Sequence, residues 1–352
     1  MQPASSRHAL TLALLCSCGD DQPSQPAAPA DSGTLPPAIV LDASAGATMD
    51  GRVLPPRDAG GDMPIGEAGA RFGLDAATLV RSLRMVTYNV AGLPEPLSSS
   101  HPSVNSALIS PLLNDFALAL LQEDFGYHAQ IISQTHQPYV SPVDTMAQSL
   151  GDGLSFLSDY PFSGYEHVQW HDCNGVTDSG SDCLTPKGFS FARFQISPQI
   201  SLDVYDLHAD AGSAAGDLAA RANNLRQLAS EINARSAGRA VIVAGDTNAR
   251  YSVVGDNLPE LVDMAGLRDV WVDQLRGGVR PTPGVPVSCS SIDLNDPQCE
   301  RLDKVFYRNG QDGVTLLPVA YSVEGARFVD ASGAQLSDHR PVTVTFDLLG
   351  PQ

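Results

Sequence analysis

Six polar positions end or follow short apolar runs, and together they supply the groups that metal-assisted acid–base chemistry needs. Asn89 ends the run 85–89, Gln122-Glu123 follow 117–121, and His208 ends 204–208. Gly245-Asp246-Thr247-Asn248 overlaps the end of the apolar stretch from Val241, Asp303 lies in Arg301–Phe306, and Ser337-Asp338-His339-Arg340-Pro341 precedes Val342–Phe346. Glu123 is a hard oxygen donor suited to a divalent cation, and Asn89 can add a neutral oxygen or a donor to phosphate. His208 and His339 titrate near neutral pH and are the acid–base candidates. Asp246 and Asn248 are two apart in one turn, so both can face one pocket. Taken singly, a Gly-Asp-x-Asn turn, a polar strand end or a lone histidine is commonly structural. Charge collected beside a core, however, is costly unless a metal or ligand offsets it.

Short apolar runs of this kind read as buried strands, so the positions would share one rim of a sheet. The strands are expected at 84–90, 117–122, 153–158, 189–196, 201–207, 240–245, 303–308, 314–320 and 341–348. Leu218, Ala222, Leu225, Ala229 and Ile232 step by four, three, four and three, which marks one face of a helix over 217–235. A second helix is expected over 258–266, closed by Gly266. Many strands with few long helices imply two packed sheets flanked by helices, an α/β architecture.

The chain has 352 residues, 43% of them hydrophobic and 17% charged, which is an ordinary globular composition with a sizeable core. Its formal net charge of −19 disfavours nonspecific electrostatic capture of nucleic acid, while an acidic rim favours divalent cations. Arg7 and His8 precede a short apolar run and then small or Cys residues, which reads as an export signal over 1–18. Leu15-Cys16-Ser17-Cys18-Gly19 resembles a bacterial lipoprotein cleavage box, with Cys18 as the lipidated residue and a membrane anchor. Residues 19–80, rich in Pro, Ala, Gly, Asp and Ser, read as a disordered linker, and 81–352 as one domain. The four remaining cysteines form two local pairs, Cys173 with Cys183 and Cys289 with Cys299. Neither pair has zinc spacing, so disulfides in an exported protein are expected. No obligate protein partner is inferred.

The ordered segments Thr87-Tyr88-Asn89-Val90, Leu121-Gln122-Glu123, Asp206-Leu207-His208, Gly245-Asp246-Thr247-Asn248, Leu267-Arg268-Asp269-Val270-Trp271, Leu302-Asp303-Lys304-Val305 and Ser337-Asp338-His339-Arg340-Pro341 resemble the endonuclease/exonuclease/phosphatase superfamily over about residues 84–348. The resemblance implies a four-layer α/β-sandwich of two mixed β-sheets, deoxyribonuclease-like, with the site where both sheets open. It implies hydrolysis of a phosphodiester, in a phospholipid or a nucleic acid, with Mg²⁺ or another divalent cation such as Mn²⁺ or Ca²⁺. Such a reaction must activate water, neutralise the phosphoryl oxygens and protonate a leaving alkoxide. By resemblance, Asn89 and Glu123 flank the metal, with Asp338 at the metal or orienting. Asp246 orients the attacking water and Asn248 donates to the phosphate. His339 is the general base, oriented by Asp303, and His208 acts on the phosphate or leaving group. Asp152, in Gly-Asp-Gly, is assigned to orient His208.

Cys183-Leu-Thr-Pro-Lys187-Gly188-Phe189 and His208-Ala-Asp-Ala-Gly212 resemble the sphingomyelinase/phospholipase-C-like branch, with Lys187 placed to meet a substrate phosphate. No long aromatic hairpin for membrane insertion is evident, and aromatics are 6% of the chain. The alternatives are a secreted endonuclease and a catalytically inactive surface binding protein.

Overall fold

A computed structural model describes residues 79–351, apart from 96, 99, 143–150, 177–178, 286, 288 and 290–292. The expected leader 1–18, with Cys18, and all but the last two residues of the expected linker 19–80 lie outside the described residues.

Two six-stranded sheets form the centre. The first contains β1 (Leu79–Asn89), β2 (Leu118–Gln122), β3 (Tyr139–Val140), β4 (Ser155–Ser158), β11 (Thr315–Val323) and β12 (Val342–Leu349), in the order β11-β12-β1-β2-β4-β3. The second contains β5 (Phe162–Gln169), β6 (Gly188–Ser197), β7 (Ile200–His208), β8 (Val241–Asp246), β9 (Arg268–Asp269) and β10 (Asp303–Arg308), in the order β5-β6-β7-β8-β10-β9. Each sheet holds one parallel pair, β1 with β2 and β7 with β8, and antiparallel pairs elsewhere.

The parallel pairs collect the polar strand ends. Asn89 is in register with Gln122, and His208 with Asp246. Strand β10 runs antiparallel to β8 and starts at the same level, with Asp303 opposite Asp246. Strand β12 runs antiparallel to β1, so His339, just before its first residue, returns to that rim.

Alternation along the strands sends one face of each sheet into a shared apolar layer. Leu83, Met85 and Leu120 of the first sheet are buried in one cluster with Val204, Ile242 and Ala244 of the second. The outer face of the second sheet carries α3 (Ala215–Arg235), α4 (Leu258–Ala265) and α5 (Val270–Leu275). Leu225, Leu228 and Ile232 of α3 bury their helical stripe with Tyr205, Leu207 and Val243. The outer face of the first sheet carries α1 (Pro102–Ile109), a 3₁₀ turn at Ser110–Asp115 and α2 (His128–Ile131), where Ile109, Leu113 and Ile131 bury Val86, Tyr88 and Leu121. Helix, sheet, sheet and helix make the four layers.

The expected strands are present with ends shifted by a few residues, α3 starts two residues earlier, and α4 stops just before Gly266. Both expected disulfides, Cys173–Cys183 and Cys289–Cys299, are formed. Strand β5 was not expected. Its sequence FSGYEHVQ is half polar, contains Gly164, and is mostly exposed or half-buried as an edge strand, so it lacks an apolar run. Helix α5 was also unexpected: Asp269 in the Leu267–Trp271 segment caps it by accepting from the backbone N–H groups of Trp271 and Val272.

Candidate active site

Each site residue sits where a strand stops and the backbone turns sharply. Among the described residues, the non-glycine positions with positive φ are Ala91 (49°), Glu123 (55°) and Asn248 (48°), all at this rim. Such conformations cost of order 1–3 kcal/mol each and persist only where the surroundings impose them. The imposed contacts are visible. The N–H of Gly92 donates to the carbonyl of Glu123 at 3.0 Å, and that of Asn248 to Asp246 Oδ1 at 2.9 Å. Gly245 has φ 140°, and a Cβ there would lie 2.1 Å from the carbonyl oxygen of Leu207, so only glycine lets β8 approach β7 at this point.

The side chains converge on one carboxylate oxygen. Asp246 Oδ2 lies 3.2 Å from Asn89 Nδ2, 3.4 Å from His208 Nε2 and 3.7 Å from His339 Nε2. Asn89 Nδ2 also donates to Glu123 Oε1 at 3.0 Å, so one amide links the end of β2 in its own sheet to Asp246 of the other. His339 is held from behind, its Nδ1 lying 2.8 Å from Asp303 Oδ2, with both residues buried. Ser337 Oγ donates to the carbonyl of Asn89 at 2.7 Å and accepts from the N–H of His339 at 3.1 Å, so it locks the His339 turn onto the end of β1. Glu123, Asp246, Asn248, Asp338, His339, His208 and Lys187 line one cavity, with Ala91, Leu93, Ser98 and Ala211 completing the wall.

Burial, reinforced by the Asp338 carboxylate, holds the Glu123 carboxyl above its usual range, against the hydrogen bond from Asn89. Burial pushes His208 well below the usual imidazole value, and the nearby charges of Lys187 and His339 act in the same direction. His208 is therefore neutral near pH 7. Lys187 Nζ lies 3.1 Å from His208 Nε2 and is ion-paired to Asp182.

Glu123 and Asp338 supply oxygen donors to one cavity, whereas the Asn89 amide turns its Nδ2 to Glu123 and Asp246 and its Oδ1 accepts from the N–H of Ala91 at 3.0 Å. A hard divalent cation fits that donor set. Asp246, Asp303 and His339 also bring ligand atoms within 4.8 Å of one another. There, however, Asp303 and His339 engage each other, an arrangement suited to orienting an imidazole.

All eight residues singled out in the sequence, Asn89, Glu123, His208, Asp246, Asn248, Asp303, Asp338 and His339, reach this rim. Asn248 Nδ2 donates to the carbonyl of Ala209 at 3.1 Å, which fixes its amide. The carboxylates flanking His208 in sequence do not serve it. Asp206 Oδ1 accepts from Gln122 Nε2 at 2.6 Å, deeper between the sheets, and Asp210 Oδ2 accepts from the N–H of Asn174 at 2.7 Å. Asp152 does not orient His208 directly either. Its Oδ2 lies 2.8 Å from Nδ1 of His167, on the strand that the sequence pattern did not reveal. Sequence reasoning also gave no role to Ser337, although it stands inside the Ser-Asp-His segment, or to Trp170, whose indole N–H donates to the carbonyl of His208 at 2.7 Å.

The family model for endonuclease/exonuclease/phosphatase family 2 matches residues 99–277. A sphingomyelinase of Mycobacterium bovis is 38% identical over 277 residues, covering 76% of this chain and 53% of the relative, and sphingomyelinases of Mycobacterium tuberculosis match equally. The chain thus spans about half the length of the curated relatives it matches. Among solved structures, a Staphylococcus aureus beta toxin mutant with bound magnesium ions aligns at TM-score 0.52 and 17% identity, over 75% of this chain and 99% of the other. D. rerio TDP2 with a single-strand DNA product aligns at TM-score 0.52 and 20% identity, over 75% and 98%. These structural likenesses establish the deoxyribonuclease-like α/β-sandwich; the family match and the mycobacterial identity show that the chain belongs to the endonuclease/exonuclease/phosphatase superfamily.

Proposed function

We propose that this protein is an exported, divalent-metal-dependent phosphodiesterase of sphingomyelinase C type, cleaving a choline phospholipid. The convergence of Asn89, His208 and His339 on Asp246, beside Glu123 and Asp338, carries the reading. Glu123 and Asp338 would hold the cation, with Asn89 beside them donating to Glu123, and the cation when bound would neutralise phosphoryl oxygens and the leaving oxygen. Asp246 orients the attacking water, and His339, held by Asp303, takes its proton at Nε2. The water oxygen forms a bond to phosphorus as the ester bond to the lipid alcohol breaks; the departing alkoxide takes a proton from water, and His339 returns its own proton to solvent. Lys187 and Asn248 place donors toward the phosphoryl oxygens, and neutral His208 accepts from Lys187 at Nε2 rather than adding a second fixed charge.

The choline-lipid assignment rests on the likeness to sphingomyelinases over most of this chain. The net charge of −19 adds to it, because it disfavours polyanionic substrates and anionic bilayers more than a zwitterionic head group. Export, with anchoring through Cys18 as its finer form, is supported by the two disulfides, which belong to oxidising compartments. A nuclease is the second reading, favoured by the fold shared with D. rerio TDP2. The test compares kcat/KM on sphingomyelin micelles, plasmid DNA and bis(p-nitrophenyl) phosphate, each in Mg²⁺ and in EDTA. Sphingomyelin should lead, and all activity should need the cation. Faster DNA cleavage with steep loss in salt would replace the lipid reading with the nuclease.

A further inference from the structure

Lys187 and His208 approach to 3.1 Å although they come from different segments, a loop before β6 and the end of β7. Both segments are gripped by His167 near the end of β5 and Trp170 just past it. The N–H of Trp170 donates to the carbonyl of Lys187 at 3.0 Å, and its indole N–H donates to the carbonyl of His208 at 2.7 Å. His167 Nε2 lies 3.0 Å from the carbonyl oxygen of Pro186, the residue before Lys187. A carbonyl only accepts, so Nε2 carries the proton. The other ring nitrogen faces Asp152 at 2.8 Å. The Asp152 turn is in turn fixed to the Glu123 side of the site, since the N–H of Asp124 donates to the carbonyl of Gly153 at 2.9 Å. Gly188 makes the grip possible: a Cβ there would lie 2.1 Å from the carbonyl of Val168 and 2.9 Å from Cε1 of His167.

We infer that His167 and Trp170 are positioning residues for the Lys187–His208 pair, with Asp152 acting through His167. The bracket spans both sheets. It runs from the loop beside Glu123, through Asp152 and His167, to the backbone at Lys187, and through the Trp170 indole to the backbone of His208. Neither residue lines the cavity. Their contribution is to hold a flexible lysine and a buried imidazole in one geometry before substrate arrives, which conserves the ordering entropy that a loose lysine would lose in the transition state. Asp152 therefore reaches His208 by an indirect route.

The kinetic arm of the test rests on the phosphodiesterase reading; the spectroscopic arm does not. The variants are His167→Ala, His167→Gln, Trp170→Phe, Lys187→Ala and His167→Ala with Lys187→Ala. They are assayed on bis(p-nitrophenyl) phosphate, with imidazole NMR of His208 and thermal melting in parallel. His167→Ala should lower kcat by about 10-fold or more with KM little changed, the range seen for residues that orient a site from behind. His167→Gln, which keeps a donor for Pro186, should recover most of that loss. In the Lys187→Ala background the His167→Ala change should cost less than about twofold, because its target is gone. The His208 ring signals should move in His167→Ala. If His167→Ala does not fold, Trp170→Phe carries the test alone: it removes the indole donor with part of the ring, and should lower kcat and shift the His208 signals while the protein still melts cooperatively. Equal His167→Ala losses with and without Lys187, or His208 signals unmoved in folded variants, would overturn the inference. A wild-type protein inactive on every phosphodiester would instead sink the proposed function while leaving the NMR result to decide the bracket.

Discussion

Asp303→Asn isolates how the site builds its base. The carboxylate contacts His339 Nδ1 at 2.8 Å, with both groups buried, and the substitution is nearly isosteric, so packing is preserved. Two effects follow. When His339 Nε2 takes a proton, Asp303 stabilises the imidazolium through a charge-assisted hydrogen bond with a net contribution of about 1.5–3 kcal/mol. At about 1.36 kcal/mol per decade, losing it slows turnover roughly 10- to 150-fold. The asparagine amide can also turn an N–H toward Nδ1, which moves the imidazole proton to Nε2 and removes the base altogether; the equivalent change in a serine protease triad costs about 10⁴-fold. The expected loss in kcat therefore lies between about 10-fold and 10⁴-fold. The assay is initial-rate hydrolysis of bis(p-nitrophenyl) phosphate across a Mg²⁺ series, with melting as the fold control. The Mg²⁺ series separates the two arrangements that the carboxylates allow. If Asp303 orients His339, kcat stays low at saturating cation. If it ligates the ion with Asp246 and His339, added cation restores the rate. A variant within about threefold of wild type at every Mg²⁺ concentration would refute both.

Glu123→Gln should abolish the Mg²⁺-dependent rate by several decades while leaving the melting temperature close to wild type; calorimetric Mg²⁺ binding of unchanged affinity would remove Glu123 from the ligand set. Burial and the neighbouring Asp182 raise the Asp210 carboxyl to about 7. The folded state then holds more protons than the unfolded one between about pH 4 and 7, so this group's contribution to stability falls as pH rises through that window. Relative to wild type, Asp210→Asn should gain stability steadily from pH 4 to pH 8 in urea melts, and a pH-independent difference would contradict the assignment. Gly245→Ala places a Cβ 2.1 Å from the Leu207 carbonyl and should destabilise the fold by about 2–4 kcal/mol, as read by chemical denaturation, with soluble wild-type-like stability as the contrary result.

The order of the site along the chain was legible in the sequence. Asn89, Gln122, His208, Asp246 and His339 each stand where an apolar strand pattern ends, and charge there is tolerated only at a functional rim. Helix α3 was legible because its stripe repeats at the helical period, and the disulfides because each closes a short loop of ten residues' separation. Local patterns of this kind are written within a few residues of each other. The partners of each polar group were not so written. Asp206 and Asp210 flank His208 in sequence, yet one turns inward to Gln122 and the other outward to Asn174. Asp152 approaches His167 because β5 pairs with β6, with His167 opposite Ser190 and Gln169 opposite Gly188, and that register is fixed by packing between distant segments. An edge strand with a wet face has no apolar run to betray it. What the sequence determined is which residues reach the rim; the tertiary structure alone decided which atom each one faces, because strand pairing across dozens of residues sets those distances and no local pattern encodes them.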